Sequence, residues 1–341
     1  MGSQPMNISS FSFPRNFTPA FADMPSHVAE FLSRDTASLP GSDIIKQRNT
    51  ALDWLFYDVG ALTTEEFQSL SAEDNKEGTV IVVHPLTEER ERCVRKFDNY
   101  SELRAAPGDL LQHFCIAGVG SSDLGAAALA RNLANVCDAP VGAIVAGYGI
   151  ADLLTEALGG WFFLGASNRM MKAFHLNEQR IKRTLASLES TVSTLDASAA
   201  RELAASLTGN PDSDTLLRLL LDEDRQIRTL LGHSKGCLSI AYALQALALT
   251  GCSAQIAKAE EIELITTSAV VEFPNEFDNV TQYLGSVDWF GGMNSQMSNE
   301  HICIPGAWHH LNTMLPMHLS VEQVLTERPE GRSCLLPPFI R

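Results

Sequence analysis

Ser234 stands between glycines 232 and 236 in the pentapeptide GHSKG, a spacing that suits a nucleophilic serine held on a tight turn. A serine hydroxyl attacks a carbonyl carbon efficiently only when a base takes its proton and a carboxylate fixes that base in the right tautomer. The chain supplies both further on, the acid first. Asp288 closes the run NVTQYLGSV and opens the loop DWFGGMNS; HICIPGAWHHLN then carries His309 and His310 behind a Pro-Gly turn. Such a set performs acyl transfer, with Ser234 as nucleophile, a histidine as general base and then acid, and Asp288 as the orienting carboxylate. His309 is the favoured base and His310 its rival, because adjacent side chains point to different sides. Aspartates also cap turns, so Asp278 and Glu272 stand as substitutes for the acid.

The same chemistry needs two donors aimed at the developing oxyanion. One is the backbone N–H of Lys235, the residue after the serine; the other should come from GVGSS at 118–122, where Val119 and Gly120 are the candidates. GVGSSDLG also invites a reading as a dinucleotide-binding turn. That reading fails because Asp123 occupies the third glycine's place and Asp138 precedes the next apolar run instead of ending it. With no H-E-x-x-H, C-x-x-C or Gly-Lys-Ser/Thr pattern, neither a metal nor a cofactor is expected. Candidates for a substrate pocket are Tyr148 in GYG, His233 beside the serine, and Trp161 and Phe162 in WFFLGASNRMMKAF.

These groups need a scaffold that brings loops together. Apolar runs without alternation recur at 79–83, 113–118, 141–147, 227–232, 262–267, 280–287 and 301–306, as expected of strands buried on both faces of a mostly parallel sheet. Helix-like stretches at 123–137 and 237–251 lie between some of them, which predicts an α/β fold with helices on both sheet faces. IRTLL before Gly232 and CLSIAYALQALAL after Gly236 place Ser234 between a strand and a helix. Residues 1–75, including NTALDWLFYDVGAL, read as an N-terminal extension packed on a domain spanning 76–341. Within that domain, 151–225 reads as a helical insertion, long enough to form a cap.

In the order GHSKG, acid after a late strand, IPGAWHH, the chain resembles the α/β-hydrolase superfamily over roughly residues 78–320. IPGAWHH is similar to the P-G-x-x-H loop that bears the catalytic histidine in many lipases, esterases and thioesterases. The resemblance implies a serine hydrolase acting on an ester or thioester, and the apolar cap segment points to a hydrophobic acyl group. An acyltransferase using the same three residues is the nearest alternative, and a non-catalytic binding protein of the same fold the more distant one. The histidine-glycine pair common in the second-donor loop of lipases is missing from GVGSS.

Composition narrows the partners. Against 25 lysines and arginines stand 41 acidic residues, a net charge of −16 that disfavours nucleic acid and anionic membranes and leaves a small molecule as the expected partner. No run of 18 apolar residues suggests a membrane span, and the opening MGSQPMNISSFSFPRNF lacks a basic stretch followed by an apolar one. Seven scattered cysteines fit reduced thiols in a cytoplasm, with Cys115, Cys237 and Cys303 as small core residues.

Overall fold

The seven apolar runs all become strands in the computed structural model, which describes residues 24–33, 41–70, 76–86, 94–107, 111–118, 121–146, 210–249 and 253–328. They are β1 (Val80–Val83), β3 (His113–Ile116), β4 (Val141–Ile144), β5 (Thr229–His233), β6 (Glu263–Thr267), β7 (Val280–Gly285) and β8 (Ile302–Ile304). The eighth, β2 (Arg95–Phe97), carries no apolar run. It is a short edge strand with Arg95 and Lys96 on it, and such charged edges resist pairing with other chains. The strand order is β2-β1-β4-β3-β5-β6-β7-β8. β1 runs antiparallel to both neighbours and every pairing from β4 to β8 is parallel.

Alternate side chains of each strand feed two separate cores, which is what period-2 geometry requires of a sheet covered on both sides. Ile81, Val83, Cys115, Val141, Ala143 and Leu231 pack beneath α1 (Ser26–Leu32), α2 (Gly41–Phe56), α3 (Thr64–Leu70), α5 (Asp123–Cys137) and α10 (Val321–Glu327). Val80, Val82, Phe114, Ile116, Leu230 and Leu264 pack beneath α4 (Tyr100–Ala105), α6 (Pro211–Leu220), α7 (Lys235–Leu249) and α8 (Ser253–Glu260). α9 (Trp289–Met293) is a single turn after β7.

One boundary differs from the sequence reading. Leu216, Leu217, Leu219 and Leu220 of α6 are buried with Ile240, Leu244 and Leu247 of α7, so 211–220 is a core helix and not part of a cap. Residues 151–209 of the supposed cap lie outside the described residues. Within the N-terminal extension, Trp54, Tyr57, Val59, Leu62, Phe67 and Leu70 share a core with Leu124 and Leu129 of α5. A buried ion pair between Glu66 and Arg131 ties α3 to α5.

Cys303 is disulfide-bonded, whereas Cys115, Cys137 and Cys237 are free thiols. Since disulfides persist mainly in oxidising surroundings, the cysteine pattern loses its argument for a cytoplasm. Among the described residues no helix is long and apolar enough to cross a membrane.

Candidate active site

The chain goes from β3 through α5 to β4 on one side, then returns to place β5 on β3's other side. Strand order reverses there, and the crevice beyond the carboxyl ends of β3 and β5 is where open α/β sheets collect their ligands. Gly118 follows β3 and Ser234 follows β5. Thr267 ends β6, Asp288 comes three residues after β7 and His309 five residues after β8, all on the same edge.

Ser234 forms the turn between β5 and α7 with φ at +53°, a left-handed conformation that side chains other than glycine adopt only at a price in strain. The turn is held by the Ser234 N–H, which donates to the Thr267 carbonyl at 3.0 Å. Both flanking glycines are required by contact. A Cβ at 232 would lie 2.7 Å from Cys237 Cα, and one at 236 would lie 2.1 Å from the Ile116 carbonyl oxygen. These close approaches of strand, turn and helix explain the G-x-S-x-G spacing.

From Ser234 a line of hydrogen bonds runs into the interior. Its Oγ lies 3.0 Å from His309 Nε2, and His309 Nδ1 lies 3.0 Å from each carboxylate oxygen of Asp288. An ionised carboxylate only accepts, so Nδ1 carries the proton and the Nε2 lone pair of the neutral ring faces the serine hydroxyl. Asp288 and His309 are almost fully buried and Ser234 is half-buried. Asp288 also caps α9, its Oδ1 accepting the Gly291 N–H at 2.6 Å. Capping and orienting are thus done by one carboxylate. Asp278 and Glu272 are exposed and have no place in this line.

His310 points the other way. Its Nε2 donates to the Pro316 carbonyl at 3.0 Å, its ring meets Trp308 edge-on, and burial lowers its pKa to about 4. His233, read as a pocket residue, is buried at 1% exposure with both ring nitrogens engaged. Lys235 is the first residue of α7, where backbone N–H groups lack partners within the helix. Its side chain runs inward, with Nζ 3.1 Å from the Ala146 carbonyl, 3.5 Å from Glu77 and 3.7 Å from Asp212. Val119, Gly120, Tyr148, Trp161 and Phe162 lie outside the described residues.

No protein-family model matches the chain, and no match appears among the curated proteins or the solved structures. Among the described residues no cluster of histidine, cysteine and acidic side chains is arranged to hold a metal.

Several residues around this site were not singled out in the sequence. Phe290 and Phe56 meet the His309 ring edge-on at 4.6 and 6.1 Å between centroids, and Phe56 stacks on Trp308 at 6.4 Å. All three are half-buried, an apolar collar around the histidine. The end of α2 and the residues just after it hold the histidine loop: the Leu311 N–H donates to the Phe56 carbonyl at 2.8 Å, Asn312 Nδ2 to the Trp54 carbonyl at 2.5 Å and the Thr313 hydroxyl to Asp58 at 2.7 Å. They also hold the glycine loop, with Asp53 accepting from the N–H and hydroxyl of Ser122, and Tyr57 Oη from Gly118 N at 2.6 Å. Asp53 lies in the last turn of α2 and Tyr57 directly after it, the Tyr57 N–H donating to the Asp53 carbonyl at 2.7 Å.

Proposed function

We propose that this protein is a serine hydrolase of the α/β-hydrolase type that cleaves an ester or thioester of a hydrophobic acyl group. The observation that carries this reading is the hydrogen-bonded line from Asp288 through His309 to Ser234, with the serine on a left-handed turn at the sheet's carboxyl edge. Ser234 Oγ attacks the carbonyl carbon while its proton passes to His309 Nε2. The oxyanion is met by the Lys235 N–H and by an N–H from the loop that begins at Gly118. Collapse of the tetrahedral intermediate breaks the bond to the leaving alcohol or thiol, which takes the proton from His309 Nε2. Water then repeats the sequence on the acyl-enzyme and frees the acid and Ser234. Asp288 stays ionised and stabilises the imidazolium that forms twice in each turnover.

The aromatic collar of Phe56, Phe290 and Trp308 supports an apolar substrate group beside the histidine. A helical cap contributed by residues before Pro211 belongs to the same proposal. The test is hydrolysis of p-nitrophenyl esters from acetate to palmitate by the wild type and by His309→Ala, with and without an added alcohol. Hydrolysis that favours longer acyl chains and falls at least about 10³-fold in the variant is expected. Product appearing only as the ester of the added alcohol would make the protein an acyltransferase. No turnover of any ester by folded wild type would remove the reading.

A further inference from the structure

Tyr57 Oη lies 2.6 Å from the Gly118 amide and 2.9 Å from His233 Nδ1, and His233 Nε2 lies 2.9 Å from the His309 carbonyl oxygen. The direction of every proton in this line follows from the partner at its far end. A carbonyl only accepts, so His233 Nε2 carries the hydrogen. In a neutral imidazole the other nitrogen is then a bare lone pair, so the Tyr57 hydroxyl donates to Nδ1. The phenol's own lone pair receives the Gly118 N–H. One hydroxyl therefore satisfies a donor and an acceptor that would otherwise be buried unpaired. Burial keeps the ring neutral, lowering the His233 pKa to about 3, and pushes the Tyr57 phenol well above its ordinary value.

Where this line runs gives it meaning. Gly118 begins the loop after β3, and a Cβ there would lie 3.1 Å from Ser234 Cβ, 3.1 Å from Tyr57 Oη and 3.2 Å from His233 Nδ1. At the other end, the His309 carbonyl receives both His233 Nε2–H and the Ser268 hydroxyl, the latter at 3.3 Å. Resting on the hydrolase reading above, we infer that Tyr57 is a positioning residue that sets the glycine loop and the backbone of His309 at a fixed distance on either side of Ser234, acting through a neutral His233. It touches neither substrate nor the reacting atoms.

The experiment is Tyr57→Phe, which keeps the ring and deletes the hydroxyl. For a site in which a displacement of about 1 Å slows chemistry on the order of 100-fold, kcat should fall about 10- to 100-fold with KM within about threefold. Histidine-ring NMR on the wild type supplies a second readout that needs no variant to fold. It should find His233 neutral and protonated at Nε2 from pH 5 to 8. Tyr57→Phe that is folded and retains kcat within twofold overturns the inference, as does a cationic or Nδ1-protonated His233. An inactive wild type would instead overturn the hydrolase reading, and this inference with it.

Discussion

Asp288 offers both carboxylate oxygens to Nδ1 of His309, each at 3.0 Å, while Oδ1 also accepts the Gly291 N–H at 2.6 Å. Gly291 is needed for this, since a Cβ there would fall 2.4 Å from both Asp288 Oδ2 and the Ser268 carbonyl. Asn in place of Asp288 can still accept the cap bond but turns an N–H toward the imidazole. The Asp288→Asn variant should therefore stay folded while kcat falls on the order of 10³- to 10⁴-fold, because the ring is driven into the wrong tautomer. Steady-state kinetics beside a thermal melt separate the two effects.

The elbow glycines make a steric prediction. Gly236→Ala would press a Cβ to 2.1 Å from the Ile116 carbonyl and 2.8 Å from that of Ala117, against backbone that has no flexible end to move. About 3 kcal/mol of stability should be lost, with activity. Gly306→Ala is the control: nothing lies within 4 Å of its Cβ and only the φ of +72° opposes it, so a loss of about 1 kcal/mol is expected. Denaturant unfolding of both variants measures the difference.

The buried carboxyl of Asp53 makes stability depend on pH. Burial raises its carboxyl from 3.8 to about 7, against hydrogen bonds from Ser122 and Gly125 that favour the charged form. Between those values the folded state holds more protons than the unfolded one, so this group's share of stability is full below about pH 4 and is lost as pH rises through 7. Asp53→Asn should flatten the decline in unfolding free energy across that window. An unchanged pH profile would show that the carboxyl titrates normally.

His310 has the opposite sign. Its pKa falls from 6.5 to about 4 by burial, so the folded state holds fewer protons in that window and stability drops as pH falls through it. His310→Gln keeps a donor for the Pro316 carbonyl and does not titrate. Its melting temperature should fall less than the wild type's between pH 6.5 and 4, with ester hydrolysis retained.

The sheet was legible in the sequence because strands buried on both faces are spelled as short apolar runs, and seven of them could be placed. β2 was missed because Arg95 and Lys96 give it no such run. Ser234, Asp288 and His309 were legible through their neighbours, since glycines, a Pro-Gly turn and a strand end mark where loops must be tight. Tyr57 and Asp53 were not, because their partners Gly118, His233 and Ser122 lie 61 to 176 residues away and no local pattern encodes a contact at that separation. Likewise α6 reads as helix from its leucines, but only packing against α7 assigns it to the core.

The most direct test of the central claim is labelling with a fluorophosphonate, read by intact-protein mass and peptide mapping on the wild type and Ser234→Ala. A single adduct on Ser234 in the wild type, and none on the folded variant, is the predicted result. An unlabelled wild type, or equal labelling of both proteins, would contradict the account.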